Sequence, residues 1–115
     1  MKRGEIWDIE LNPTRGAEIK GKPRRPAVII SDDNVGLLPL KVIVPLTGWK
    51  DIFERFPWMV RVLPDDTNGL DKISAIDALQ IRSVDQSRLV KKRGKMDPIL
   101  LVQILEALNK VIGNY

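Results

Sequence analysis

Glu5-Ile6-Trp7-Asp8-Ile9-Glu10-Leu11 alternates polar and apolar side chains over most of its length, the two-residue period of a strand with one face buried. Asn12-Pro13-Thr14 ends it, and Arg15 to Pro23, with glycines at 16 and 21, reads as a long loop. Ala27-Val28-Ile29-Ile30-Ser31 is too continuously apolar to alternate and predicts a strand covered on both faces. After a turn at Asp32-Asp33-Asn34 with Gly36, Lys41 to Thr47 predicts a third strand, and Pro45, lacking an N–H, suits an edge or a bulge near its end. Residues 48–57 mix aromatic and charged side chains as a loop. Trp58 to Leu63 predicts a fourth strand, closed by the turn cluster Asp65-Asp66-Thr67-Asn68-Gly69. Ile73 to Asp77 and Leu79 to Val84 read as two strands or one bulged strand, and Arg88 to Arg93 as a further short one. Asp97-Pro98 is a helix start, Asp as N-cap and Pro in the first turn. Leu101, Leu105, Leu108 and Ile112 follow at helical spacing, the three leucines as core positions, and Gly113 ends the helix.

This order of elements predicts a mainly β fold with a C-terminal α-helix, a small twisted antiparallel sheet or SH3-like β-barrel with the helix packed against it. The 115 residues are expected to form one domain, 1–115. No apolar run approaches the ~20 residues of a membrane span, so no membrane partner is expected. No secretory leader pattern precedes the first strand. The chain has no cysteine and no histidine, which removes disulfides, thiol catalysis and zinc–thiolate sites and fits a cytoplasmic protein. Whatever chemistry it performs runs on Arg, Lys, Glu, Asp, Ser and Thr, and no cofactor or metal is expected.

The formal net charge is +4, unevenly spread. Residues 1–50 carry nine basic and six acidic side chains, residues 51–85 four and seven, and residues 86–115 six and two. Positive charge collects in residues 15–25 and 88–95. If folding joins these segments they form a surface suited to a polyanion; otherwise they are solubilising charge. Pro13-Thr14-Arg15-Gly16-Ala17-Glu18-Ile19 followed by Arg24-Arg25-Pro26 sets a polar, basic loop directly against an apolar strand, so that a carboxylate and several guanidiniums lie beside a rigid element.

Taken in order, the segments Arg3-Gly4-Glu5-Ile6-Trp7, Leu11-Asn12-Pro13-Thr14-Arg15-Gly16-Ala17-Glu18-Ile19, Arg25-Pro26-Ala27-Val28-Ile29-Ile30-Ser31, Pro45-Leu46-Thr47, Gly69-Leu70-Asp71-Lys72, Gln80-Ile81-Arg82-Ser83-Val84-Asp85 and Ser87-Arg88-Leu89 resemble the MazF/PemK (Kid) family of bacterial toxin endoribonucleases. No one piece is diagnostic; the ordered set, spanning nearly the whole chain, is quite specific. The resemblance implies an SH3-like barrel of the CcdB/PemK type, a homodimer, and metal-independent cleavage of single-stranded RNA at short sequences. It also implies a cognate acidic antitoxin that occupies the RNA groove. Two departures stand out: Ala17, where many relatives place a serine, and Ile73, where a polar residue often precedes the serine at 74.

Metal-free cleavage uses the substrate's own 2′-OH as nucleophile, so the enzyme must orient attack, take the 2′ proton, stabilise the phosphorane and protonate the 5′ oxygen. The resemblance implies Arg25 as the catalytic arginine, its guanidinium fork matched to phosphate oxygens, and Thr47 as the catalytic threonine. Glu18 is expected to orient the arginine or act as base. Thr14, Arg15, Lys20, Lys22, Arg24, Ser74, Gln80 and Arg82 are the candidate RNA contacts. Each has a plainer alternative: Arg25 as an exposed residue at a strand start, Thr47 as sheet chemistry, Glu18 as a solvated carboxylate, Gln80 as a satisfied amide tying the sheet. Lys91-Lys92-Arg93 with Lys95 reads as a solvated run or a backbone contact. Trp49, Phe53, Phe56 and Trp58 fit core or dimer packing, with base stacking or antitoxin docking as the alternatives. Two other functions compete. A CcdB-like gyrase poison is expected to end in Trp-Gly-Ile, whereas this chain reads Val111-Ile112-Gly113-Asn114-Tyr115. An SH3-like nucleic-acid-binding module needs only the basic surface.

Overall fold

The computed structural model describes residues 1–21 and 23–114. Seven strands and one helix follow in chain order: β1 Glu5–Ile9, β2 Arg25–Ile29, β3 Leu40–Gly48, β4 Met59–Val62, β5 Ser74–Asp77, β6 Arg82–Asp85, β7 Leu89–Lys95 and α1 Pro98–Val111. All observed pairings are antiparallel, and the sheet runs β4-β5-β3-β2-β1-β7 with β6 added on β3. The mainly β class with a C-terminal helix is therefore as expected. The two segments read as strands or one bulged strand are separate strands. A single 3₁₀ turn, Ala78–Gln80, lies between them, with the buried Asp77 carboxylate accepting from the Leu79 amide at 3.2 Å.

The nine-residue β3 is the spine. One edge pairs with β2 through Ile43, Val44 and Pro45. On the other, Leu40–Ile43 pair with β6 and Leu46–Gly48 with β5. Pro45 thus lies inside a central strand, not at an edge, at the gap where Val44 and Pro45 face neither β5 nor β6. That changeover is where a residue without an N–H costs the ladder least.

Hydrogen-bonded ladders do not close the sheet into a barrel: among the described residues the end strands β4 and β7 are not paired with each other. The turn between β4 and β5 spans the seam instead. The Lys95 amide donates to the Thr67 carbonyl at 3.0 Å. The Arg93 guanidinium donates to the Gly69 carbonyl at 2.8 and 3.0 Å and to Asp71 at 2.8 Å, while its other arm reaches Asp8 of β1 at 3.1 Å. Burial pulls the Arg93 proton affinity down, but the two carboxylates outweigh it and raise it above the ordinary value. Gly69 has φ +67°, and a Cβ there would collide with the Arg93 carbonyl, so only glycine brings the turn this close. Arg93 therefore leaves the basic run read as solvent-facing; its charge is already matched. Lys92 likewise pairs with Glu5 at 3.2 Å.

Two apolar clusters lie on opposite faces of the bent sheet. Val28, Val44, Leu46 and Ile76 pack with α1 in one; Ala27, Ile29, Ile43 and Leu89 make the other. Val28 and its two neighbours in β2 face opposite clusters, which explains why that segment is apolar without alternation. Asp97 caps α1 by accepting from the Ile99 amide at 2.7 Å, as its sequence predicts. The buried stripe is Ile104, Ala107 and Leu108, with Leu100, Leu101 and Val111 packed beside it. Leu105, expected in the core, is exposed (39%). At 100° per residue, Leu105 follows Ile104 off the inward face. No described helix is long and apolar enough to cross a membrane.

Candidate functional site

Antiparallel pairing of Ala27 with Pro45 and Val28 with Val44 brings Arg25, two positions back from Ala27, opposite Thr47. Pairing of Thr47 with Ala75 and Gly48 with Ser74 brings in the start of β5. The outcome is a hollow of about 240 Å³ lined by Arg24, Arg25, Pro26, Leu46, Thr47, Gly48, Lys72 and Ser74. Of the sequence-derived candidates, Arg25, Thr47, Arg24 and Ser74 meet here.

Arg25 is oriented by main chain alone. Its Nε donates to the Lys20 carbonyl at 2.7 Å and Nη1 to the Leu46 carbonyl at 3.2 Å. Among the described residues, it has no carboxylate partner. Burial lowers its proton affinity from the usual guanidinium value, the direction expected for an unpaired cation taken partly out of water. Arg24 lies 3.9 Å from Glu10. Among the described residues no carboxylate lines the hollow, and three cationic side chains do. Ser74 donates its hydroxyl to the Lys72 carbonyl at 3.0 Å.

The other candidates lie outside this lining. Glu18 and Arg15 close one turn: the Arg15 amide donates to the Glu18 carboxylate at 2.6 Å, and the Glu18 amide to the Arg15 carbonyl at 3.0 Å. Thr14 is half-buried in the same loop, and Lys20 is exposed. Lys22 lies outside the described residues. Gln80 grips the loop with both ends of its amide, accepting from Ile19 N at 3.1 Å and donating to the Ala17 carbonyl at 3.2 Å. Arg82 donates to the Leu11 carbonyl at 3.3 Å, and Arg88 to the Glu10 and Asn12 carbonyls at 2.9 and 2.7 Å. These three side chains hold the loop's main chain in place.

Two residues that shape the site, Arg88 and Lys72, are not among the candidates drawn from the sequence. Arg88 belongs to a quoted motif, yet its carbonyl partners lie 76 and 78 residues away. Lys72 was visible in principle: it stands two residues before Ser74, the spacing that puts both on one face of an extended chain. The four aromatic residues form a string beginning one residue beyond Gly48. Trp49 meets Phe53 edge-on at 5.8 Å, Phe53 lies 6.0 Å from Phe56, and Phe56 stacks on Trp58 at 4.9 Å. All four are half-buried; Trp58 packs against the helix-side core. Among the described residues there is no group of three or more Asp or Glu placed to hold a metal ion.

An open antiparallel sheet with a terminal helix and a cationic, carboxylate-free hollow defines a protein equipped to hold a phosphate-bearing partner. Residues 2–112 match the profile of the PemK-like, MazF-like toxin family of type II toxin-antitoxin systems, and the chain belongs to that family. It is 35% identical over 114 residues to endoribonuclease MazF9 of Mycobacterium tuberculosis, covering 94% of this chain and 92% of the relative. It is 29% identical over 113 residues to endoribonuclease MazF of Staphylococcus saprophyticus, covering 98% and 92%. Among solved structures, MazF from Deinococcus radiodurans superposes with a TM-score of 0.79 at 24% identity, covering 98% of this chain and 96% of that one. An endoribonuclease from a mycobacterial species, solved with its cognate antitoxin, superposes with a TM-score of 0.75 at 19% identity, covering 98% and 95%.

Proposed function

We propose that this protein is an endoribonuclease toxin that cuts single-stranded RNA at short sequences, without a metal, and is neutralised by a cognate acidic antitoxin. The observation that carries the reading is the meeting of Arg25 and Thr47 in one hollow free of carboxylates, in a chain whose full-length relatives are named endoribonucleases. In this reading the scissile phosphate enters the hollow. Arg25, already aimed by two carbonyls, stabilises the charge that develops on its oxygens, and the Thr47 hydroxyl donates to the same group. Glu18, whose carboxylate accepts from the Arg15 amide outside the hollow, takes the 2′ proton once its loop turns it toward the bound RNA. Thr14, Arg15, Lys20, Lys22 and Arg24 meet the RNA backbone, Ser74 meets the phosphate, and Gln80 and Arg82 hold the reading loop while presenting their remaining hydrogen-bonding capacity to bases.

The same proposal covers a single domain over 1–115, a homodimer acting in the cytoplasm, and an SH3-like barrel whose ring is completed by the Arg93 and Lys95 contacts rather than by a strand ladder. Relatives solved with MazE antitoxins support the antitoxin, since an acidic segment suits the same cations.

The test is direct. The purified protein should cut a long RNA in EDTA, leaving 2′,3′-cyclic phosphate and 5′-OH ends, and should leave intact a substrate with 2′-deoxyribose at the cut. Arg25→Ala should lower kcat by about 10²-fold or more while the protein stays folded, the scale of losing one transition-state donor. Loss of cutting on chelation rejects the metal-free chemistry. An undiminished Arg25→Ala rate removes that residue from it.

A further inference from the structure

Lys72 shares the hollow with Arg25 and Thr47, and its side chain crosses the one residue there without a Cβ. Its Nζ lies 3.2 Å, and its Cε 3.5 Å, from the position a Cβ would take at Gly48. A Cβ at 48 would make this contact tight and require the ammonium to give by a few tenths of an ångström. The main chain that launches Lys72 is fixed against the end of β3: Ser74 Oγ donates to the Lys72 carbonyl at 3.0 Å, and Trp49 N to the Ile73 carbonyl at 3.1 Å. Among the described residues, the ammonium pairs with no carboxylate. A cation held beside the site without a carboxylate partner among the described residues is free to serve a substrate.

The two neighbouring cations suit different tasks. Arg25 has its guanidinium tied to two carbonyls, which favours fixed electrostatic support. Lysine side chains as a class release a proton more readily than arginine, by roughly two pK units or more. With no histidine or cysteine in the chain, the mobile ammonium is left as the group able to follow a departing oxygen at this hollow.

The geometry assigns Lys72 as the general acid of the RNA cleavage proposed above, the group that protonates the departing 5′ oxygen; the assignment rests on that reading. As the 2′ oxygen bonds to phosphorus, its proton passes to the Glu18 carboxylate. The P–O5′ bond breaks with its electron pair on O5′, which takes a proton from the Lys72 ammonium. Solvent then takes the proton from Glu18 and returns one to the neutral amine, so the cycle closes with no net gain or loss of protons.

The experiment uses the whole protein and a short RNA containing one cut site mapped on a longer transcript. The RNA is made in two forms, with oxygen or with sulfur at the bridging 5′ position, because a thiolate departs without a proton. Lys72→Met should cut the oxygen substrate about 10²-fold slower in kcat, with KM nearly unchanged, and cut the sulfur substrate close to the wild-type rate. Lys72→Arg, which keeps the charge, should remain slow on oxygen, and Arg25→Ala should be slow on both. Equal slowing of Lys72→Met on both substrates, a change in KM alone, or wild-type cutting of the oxygen form each overturns the assignment while the nuclease reading stands. Wild-type protein that leaves both substrates whole overturns the nuclease reading and the assignment together.

Discussion

Glu5 concentrates several interactions in one side chain. Its Oε1 accepts from the Trp7 indole at 2.9 Å and the Lys2 amide at 3.0 Å, while Oε2 meets Lys92 at 3.2 Å. Burial pushes this carboxyl up, but the Trp7 indole, the Lys2 amide, Lys92 and the terminal amino group together hold it at about 2, against an ordinary 4.5. A carboxyl depressed on folding stabilises the native state above its unfolded pKa and loses that contribution as pH falls. Glu5→Gln should therefore cost about 1–2 kcal/mol at pH 7. In urea titrations the two proteins should converge as pH drops from 4.5 towards 2. A gap that stays constant over that range would assign the loss to shape instead. Alternation in residues 5–11 places Glu5 on the polar side of its strand, but the donors that pin it come from three separate positions, so its role is settled only by the fold.

At the scale of elements, the strands that build the hollow were legible because their apolar runs fix β2 and β3. Antiparallel register then carries Arg25 to Thr47. The loop before β2 was legible as a loop and opaque as a structure. Its shape is set by Gln80, Arg82 and Arg88, whose partners lie 61 to 78 residues away, and a long-range side-chain grip on main chain leaves no periodic trace. Gln80→Ala should free the loop while leaving the sheet intact. We expect faster hydrogen exchange at the Ile19 amide, unchanged protection in β3, and a fall in kcat. Protection at Ile19 equal to wild type would show that the loop holds itself. The helix was legible in extent, from its Asp97 cap to Gly113, but its inward face was misjudged at Leu105: leucine suits either side of that boundary, and only the sheet beneath α1 decides.

For the molecule as a whole, composition announces excess positive charge but not its availability. Arg93 and Lys92 are consumed by Asp8, Asp71 and Glu5, whereas Arg25, Lys20 and Lys72 pair with no carboxylate among the described residues. RNA affinity should accordingly fall with salt, and Lys20→Gln should flatten the log–log slope by about 0.7, one released counterion on a single strand. A slope identical to wild type would place the RNA elsewhere. The seam between β7 and the β4–β5 turn has a different consequence. Ladders come apart residue by residue, but this seam is fastened at two points, the Arg93 side chain and the Lys95 amide, so it has a latch rather than a zip. Springing that latch at Arg93 loosens the turn that leads through Asp71 into Lys72, and one substitution outside the hollow's lining would disarm the toxin with most of its strands still in place.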